Sequence, residues 1–115
     1  YDPVIWRTVL SRQDALSLQF AMETVASSGT AMNLTIPGAR VGGKTGTAQV
    51  DAARPDDTHG WIVGFAGPEN GEATLAISVV IESVPGEGQF TGGSDAAPIA
   101  KAVLIEALQI QGILE

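Results

Sequence analysis

Cysteine is absent from the 115 residues, which excludes thiol nucleophiles, thiolate metal ligands and disulfides. Positive charge is scarce: six Lys and Arg stand against thirteen Asp and Glu, a formal net charge of −7. The basic residues are scattered as Arg7, Arg12, Arg40, Lys44, Arg54 and Lys101 and form no phosphate-binding stripe, so nucleic acid is not an expected partner. Long hydrophobic runs are missing too. The longest, Ala76 to Ile81, is interrupted by Ser78 and falls far short of the roughly 20 residues that span a bilayer. No positively charged start leads into an apolar run, so no signal peptide is visible. The chain opens on Tyr1-Asp2-Pro3 without an initiator Met, and the expectation is an excised or mature piece. What is plentiful is apolar: 44% of residues are hydrophobic and only 17% charged, enough to bury a core alone or most of one with a partner. One domain, or part of one, is the ceiling.

Ser11 followed three residues later by Asp14 has the spacing of a capping box and starts a helix predicted over residues 12–28. Leu18, Met22 and Val25 form one stripe, and Leu16 and Phe20 widen it into a face suited to packing on a sheet. Gly29 is the stop signal. A short strand is expected at Leu34 to Ile36, ended by a Pro37-Gly38 turn. Arg40 to Val50 reads as a strand whose glycines 42, 43 and 46 let another backbone or a ligand approach the main chain. Asp51 to His59, polar and carrying Pro55-Asp56-Asp57, reads as a loop. Trp61 to Ala66 and Thr74 to Ser83, split by Gly67-Pro68-Glu69-Asn70-Gly71, form a hairpin. Val84 to Gly93 is a glycine-rich loop. A last helix with Ser94 or Asp95 as N-cap and Pro98 in its first turn runs through Ile99, Val103, Leu104 and Leu108 to about Ile110. The succession implies an α+β fold, an antiparallel sheet of three consecutive strands flanked by N- and C-terminal helices.

One glycine-rich segment supports two readings. Gly38 to Thr45 satisfies the phosphate-loop pattern G-x-x-x-x-G-K-[ST], with Glu82 after an apolar run as a possible magnesium-ordering acid, which would make the chain part of a nucleotide hydrolase. That chemistry needs a strand entering the loop and a helix leaving it, so that amide hydrogens and the helix dipole converge on the phosphates. Here Pro37 stands on the entry side, and the exit is Gly46-Thr47-Ala48-Gln49-Val50-Asp51, a poor helix that Pro55 would soon end. The alternative takes Lys44-Thr45-Gly46-Thr47 as part of a strand, where it matches the Lys-Thr-Gly element of serine acyl transferases that react with penicillin.

The surroundings of that element carry a resemblance. Gly29-Thr30-Ala31 follows a helix and Pro37-Gly38 precedes the strand. Gly43 to Gln49 lies on it, His59-Gly60-Trp61-Ile62-Val63-Gly64-Phe65-Ala66 opens the next, and Gly92-Gly93-Ser94-Asp95-Ala96-Ala97-Pro98 leads into the closing helix. In that order they resemble monofunctional (class B) penicillin-binding proteins from about Pro3 to Leu108. The resemblance implies that residues 1–115 are the C-terminal segment of a peptidoglycan D,D-transpeptidase domain of the β-lactamase-like fold. It implies catalytic roles for Lys44, as positive charge near the reacting serine, and for Thr47, whose N–H is one of two oxyanion donors. Thr45 and Thr47 hydroxyls would bind the substrate carboxylate, and Gly46 would keep the strand face clear. The implied partners are the N-terminal half of the same domain, the peptidoglycan stem peptide, and β-lactams as acylating ligands; the implied place is extracytoplasmic, in a membrane-anchored parent. No cofactor or metal is implied.

The nucleophile is missing. The residues three before Lys44 and Lys101 are Val41 and Pro98, so S-x-x-K does not occur, and Ala31 and Pro68 stand two before Asn33 and Asn70, so S-x-N does not either. Both motifs would have to precede Tyr1, and the chain by itself is expected to acylate nothing; a parent lacking them would be the remaining alternative, a non-catalytic binding module that retains the fold. His59 lacks a partner serine and reads as structural or exposed; Trp6 and Trp61 read as core or rim aromatics. Asp51, Asp56 and Asp57 read as a solvated acidic loop. A strand also alternates its side chains, so Thr45 and Thr47 share one face and Lys44 and Gly46 the other.

Overall fold

The computed structural model describes residue 4 and residues 7–84, 86 and 88–115, with Arg54 described in its backbone alone; Tyr1 to Pro3 and Trp6 lie outside the described residues. Helix α1 (Arg12–Ser28) begins where expected. Ser11 Oγ accepts the Asp14 N–H at 3.1 Å and its hydroxyl donates to the Asp14 carboxylate at 2.6 Å, so both sides of the cap are occupied. Only part of the expected stripe faces inward: Ala26 is buried and Ala15, Gln19, Met22, Glu23 and Val25 are half-buried, whereas Leu16, Leu18 and Phe20 are exposed, Phe20 by 72%. The rotation follows from Glu23, whose carboxylate pairs with the Arg40 guanidinium at 2.6 Å while its backbone N lies over Gly42. Arg40 also donates to the Gly71 carbonyl, tying the helix, the first strand and the second turn together.

Instead of a strand at Leu34 to Ile36, Met32–Leu34 forms one turn of 3-10 helix. Leu34 is fully buried because Gly43 and Gly64 face each other across two strands, and its Cδ2 fills the space that their side chains would occupy. Pro37 and Gly38 then make the expected turn: Ala39 N–H reaches the Ile36 carbonyl, and Gly38 takes φ 77°, which favours glycine at this turn position.

Three antiparallel strands follow in the order β1 (Ala39–Asp51), β2 (Arg54–Pro68) and β3 (Leu75–Ile81). Asp51 to His59, expected as a loop, is the end of one strand and the start of the next. Asp51 Oδ1 accepts the Ala53 N–H at 2.8 Å, which reverses the chain through Ala52 and Ala53, and a register shift between Gln49 and Asp51 absorbs the misfit. Pro55 is tolerated because β3 pairs only with Gly60 to Ala66, leaving the first part of β2 without a ladder on that side. Asp57, expected in solvent, is buried and partnered.

The main core lies against one face of the sheet. Val41, Ile62 and Ala66 on it meet Leu34, Ile36 and the buried side of helix α2 (Ala97–Ile110), formed by Ala97, Ala100, Leu104 and Leu108. Ile99 and Val103 point outward, because the small residues Ala97 and Ala100 let the other side of the helix lie closest to the sheet. The expected N-caps Ser94 and Asp95 are displaced by Thr91. Thr91 Oγ1 accepts the Ser94 N–H, and Asp95 Oδ2 accepts the Thr91 N–H at 2.7 Å, a capping box placed over a π-helical turn (Gly92–Ala96).

Lys44 and the residues after it are extended through Asp51, so no helix N-terminus is available to hold phosphates and the nucleotide reading of Gly38 to Thr45 fails. The α+β expectation stands. On the second face Phe65 crosses Gly42, where a Cβ would sit 2.4 Å from the ring, beneath α1. Gly42→Ala should therefore cost about 1–3 kcal/mol, read as a lower urea midpoint; Phe65→Leu in the same chain should recover part of it, and an unchanged midpoint for Gly42→Ala would contradict this packing.

Candidate active-site cleft

The glycine–threonine stretch of β1 borders a cleft of about 360 Å³ between the end of α1, β1 and the segment before α2. Thr45 and Thr47 line it, as strand alternation requires, together with Thr30, Asn33, Gly92 and Ser94. No charged side chain lines it, and Met32 adds an apolar patch to the hydroxyl and amide groups.

Each wall is fixed by backbone contacts. Val25 O accepts from both Gly29 N and Ala31 N, which sets Thr30 at the rim with Ala31 fully buried behind it. Thr30 Oγ1 and Thr45 Oγ1 lie 2.6 Å apart, a hydroxyl–hydroxyl hydrogen bond across the floor. Opposite, Gly92 rests directly on the β1–β2 ladder: a Cβ there would come within 1.9 Å of Trp61 O and about 3 Å of Gly46 N and O. Gly60 is covered in the same way by the Thr91 backbone. Asn33 Nδ2 donates to Gly93 O at 2.8 Å and joins this wall to the 3-10 turn.

Lys44 stands outside the cleft. It is exposed on the second face, paired with Val63, and its Nζ donates to the Thr45 carbonyl at 2.6 Å, folded back along its own strand. The structure thus brings Thr45 and Thr47 together and sets Lys44 on the far side of an edge strand. Gly46 takes its place between them under Gly92, and a Cβ on it would meet Trp61 Cβ at 3.3 Å. Of the three glycines expected to favour a ligand, Gly42 and Gly43 make room for Phe65 and Leu34 instead. His59 is structural: its Nδ1 accepts the Ser83 N–H at 2.9 Å. Trp61 is a rim aromatic, 42% exposed.

Sequence reasoning used Thr30 and Gly92 to Ser94 as landmarks without assigning them to the site, and missed Asn33. The available signal was small polar and glycine residues directly flanking the two helices, at positions where a chain turns.

With this geometry in place, the comparisons with known proteins are specific. Residues 2–105 match the family described as penicillin binding protein transpeptidase domain. The chain belongs to this family. It is 34% identical over 116 aligned positions to stage V sporulation protein D of Bacillus subtilis, covering 97% of this chain and 17% of that protein. Peptidoglycan D,D-transpeptidase PbpA of Mycobacterium tuberculosis is 37% identical over 75 positions, covering 64% of this chain and 15% of that protein. Among solved structures, the transpeptidase domain of Burkholderia pseudomallei penicillin-binding protein 3 superposes with a TM-score of 0.72 at 27% identity, over 89% of this chain and 31% of that one. The D,D-transpeptidase domain of an Eggerthella lenta peptidoglycan glycosyltransferase gives 0.66 at 31% identity, over 91% of this chain and 22% of that one. The chain therefore spans about one sixth of the length of these curated relatives.

The seating of Gly92 on the ladder gives the site a direct test. Gly92→Ala must lift the 91–94 segment off β1 and β2, at a cost of about 1–3 kcal/mol. Amide hydrogen exchange should quicken at residues 91–94 while the β2–β3 ladder keeps its protection; unchanged exchange at 91–94 would contradict the contact.

Proposed function

We propose that residues 1–115 are the C-terminal, substrate-holding segment of a serine D,D-transpeptidase domain that crosslinks peptidoglycan stem peptides. In this reading the serine, its base and the second polar motif stand N-terminal to Tyr1 in a longer protein. The observation that carries it is the pair Thr45 and Thr47, side by side in an uncharged cleft on an edge strand, in a chain that holds no S-x-x-K.

The roles follow the geometry. A carboxylate is an acceptor-only group, and the Thr45 and Thr47 hydroxyls are donors aimed into the cleft that receives it. The Thr47 N–H serves as one oxyanion donor, an interaction realised most fully as charge develops on the reacting carbonyl. The outer edge of β1 takes the substrate backbone as an added strand. Because Lys44 emerges on the opposite face from the hydroxyls, it reaches the reacting serine only around the edge of β1, with its Nζ leaving the Thr45 carbonyl. β-Lactams acylate the complete domain in place of the stem peptide. The site of action is extracytoplasmic and the parent is membrane-anchored; no helix among the described residues is long and apolar enough to cross a membrane. The relatives named peptidoglycan D,D-transpeptidase support this assignment.

The rest of the domain also explains what this chain leaves bare. Trp61, Val63 and Val80 share the second sheet face at 40–46% exposure, and Phe20, Val103 and Ile110 stand out further. An apolar patch of a few hundred Å² at about 25 cal/mol per Å² is worth several kcal/mol, comparable to a domain's whole net stability.

Two outcomes are expected. The isolated chain should form no adduct with a labelled penicillin, whereas the longer protein should be labelled, and Lys44→Ala in it should slow labelling by about 10²-fold or more. Intact mass showing a stoichiometric adduct on residues 1–115 alone would contradict the assignment. The isolated chain should also self-associate or unfold at a concentration-dependent midpoint in sedimentation and thermal scans. A monomer with a cooperative, concentration-independent transition would make it a self-sufficient domain.

A further inference from the structure

Thr30 is joined to the cleft by a bond that the reading above does not use. Its backbone is held on both sides: Gly29 N and Ala31 N converge on Val25 O, and the Gly93 main chain packs so closely on the Thr30 carbonyl that a Cβ at Gly93 would lie 2.5 Å from it. Its hydroxyl therefore projects from a fixed point, 2.6 Å from the Thr45 hydroxyl. A hydroxyl has one proton and two acceptor positions. If Thr45 gives its proton to an anion in the cleft, the hydrogen between the two threonines must come from Thr30.

We infer that Thr30 is a positioning residue for carboxylate recognition: its hydroxyl donates to Thr45 Oγ1, and Thr45 donates to the carboxylate of the stem peptide or of a β-lactam. The inference rests on the proposed transpeptidase reading. The chain of two hydroxyls does two things. It fixes the Thr45 rotor, which would otherwise choose among several acceptors including backbone carbonyls, and it polarises the Thr45 O–H so that its bond to an anion strengthens. Neither effect requires Thr30 to touch the ligand. A bond to an ionised acceptor depends on this more than a bond to a neutral one, because charge-assisted hydrogen bonds are roughly twice as strong.

The test uses the longer protein with its upstream segment and two probes, benzylpenicillin and its methyl ester, in which a methyl group removes the charge of the carboxylate. Acylation is followed by stopped-flow or intact mass, and the pre-acylation binding constant is separated from the acylation step. For Thr30→Val, acylation by the free acid should weaken by about tenfold, in the binding constant and not in the limiting rate, while the ester changes less than about twofold. Thr30→Ser, which keeps the hydroxyl, should stay within about twofold of the original for both probes. In a Thr45→Val background, Thr30→Val should add nothing further, since the relay is already cut.

An equal loss on acid and ester would mark Thr30 as merely structural, and an additive loss in the Thr45→Val background would mean that it meets the ligand directly; each overturns the inference. If the unaltered longer protein is acylated and Thr30→Val behaves like it with both probes, this inference alone fails. If the unaltered protein is not acylated by the free acid, the transpeptidase reading fails and this inference falls with it.

Discussion

The contact on which the cleft depends is that of Gly92 with the main chain of Gly46 and Trp61, a close packing of backbone on backbone that no side chain could interrupt. It lets the segment between β3 and α2 lie flat across the β1–β2 ladder, and from there the rest is placed. Thr91 caps the π-helical turn and directs α2 back over the covered face, while Gly93 presents its carbonyl to Asn33 and its Cα to Thr30. The cleft wall is thus built from the same residues that close the hydrophobic core. A change that loosens the wall reaches the packing of α2, and stability and ligand geometry are coupled here by construction.

Much of this was legible in the sequence where local chemistry decides. The bounds of α1 follow from Ser11, Asp14 and Gly29, and the Pro37-Gly38 turn from the special conformation it needs. The strand character of Lys44 to Val50 is legible even within a complete phosphate-loop pattern, because Gly46 and β-branched Thr47 and Val50 could not sustain the helix such a loop requires. Where geometry beyond a few residues decides, local reading failed. Asp51 to His59 looks like a loop by composition, yet one Asx turn at Asp51 and the lack of a third strand beside Pro55 make it a hairpin tip. Thr91 displaced Ser94 and Asp95 as cap because Asp95 is needed as the returning carboxylate, a role visible only once the turn is formed.

The misplaced apolar faces have a different origin. Leu16 and Phe20 on α1 and Ile99 and Val103 on α2 satisfy helical periodicity for burial, and they stand in solvent. Both helices are apolar on more than one side, as elements between two layers are. The pattern records the burial expected in a larger domain, and the sides that meet the sheet carry Ala97 and Ala100 on α2, which allow close approach, and Ala26 next to the Glu23–Arg40 pair on α1. Hydrophobic periodicity gives the sum of the faces. Side-chain size, and on α1 the Glu23–Arg40 pair, decide which one meets the nearest layer.

The same strand geometry constrains how a complete site could be assembled. Thr45 and Thr47 open into the cleft on one face of β1, and Lys44 leaves from the other, beside Val63 and near Trp61. A ligand held by the hydroxyls can be brought under the influence of the lysine only at the strand's outer edge, where no described strand intervenes. The outer edge is therefore the place where an extended substrate would meet main-chain groups, hydroxyls and ammonium together. In the proposed domain, a nucleophile that reached this edge beside Lys44 would stand on the side away from the Thr30, Asn33 and Gly92 wall. The apolar Trp61–Val63–Val80 surface lies on that same side. A segment packed there would cover it and bring its own polar groups to the edge of β1 in a single docking event.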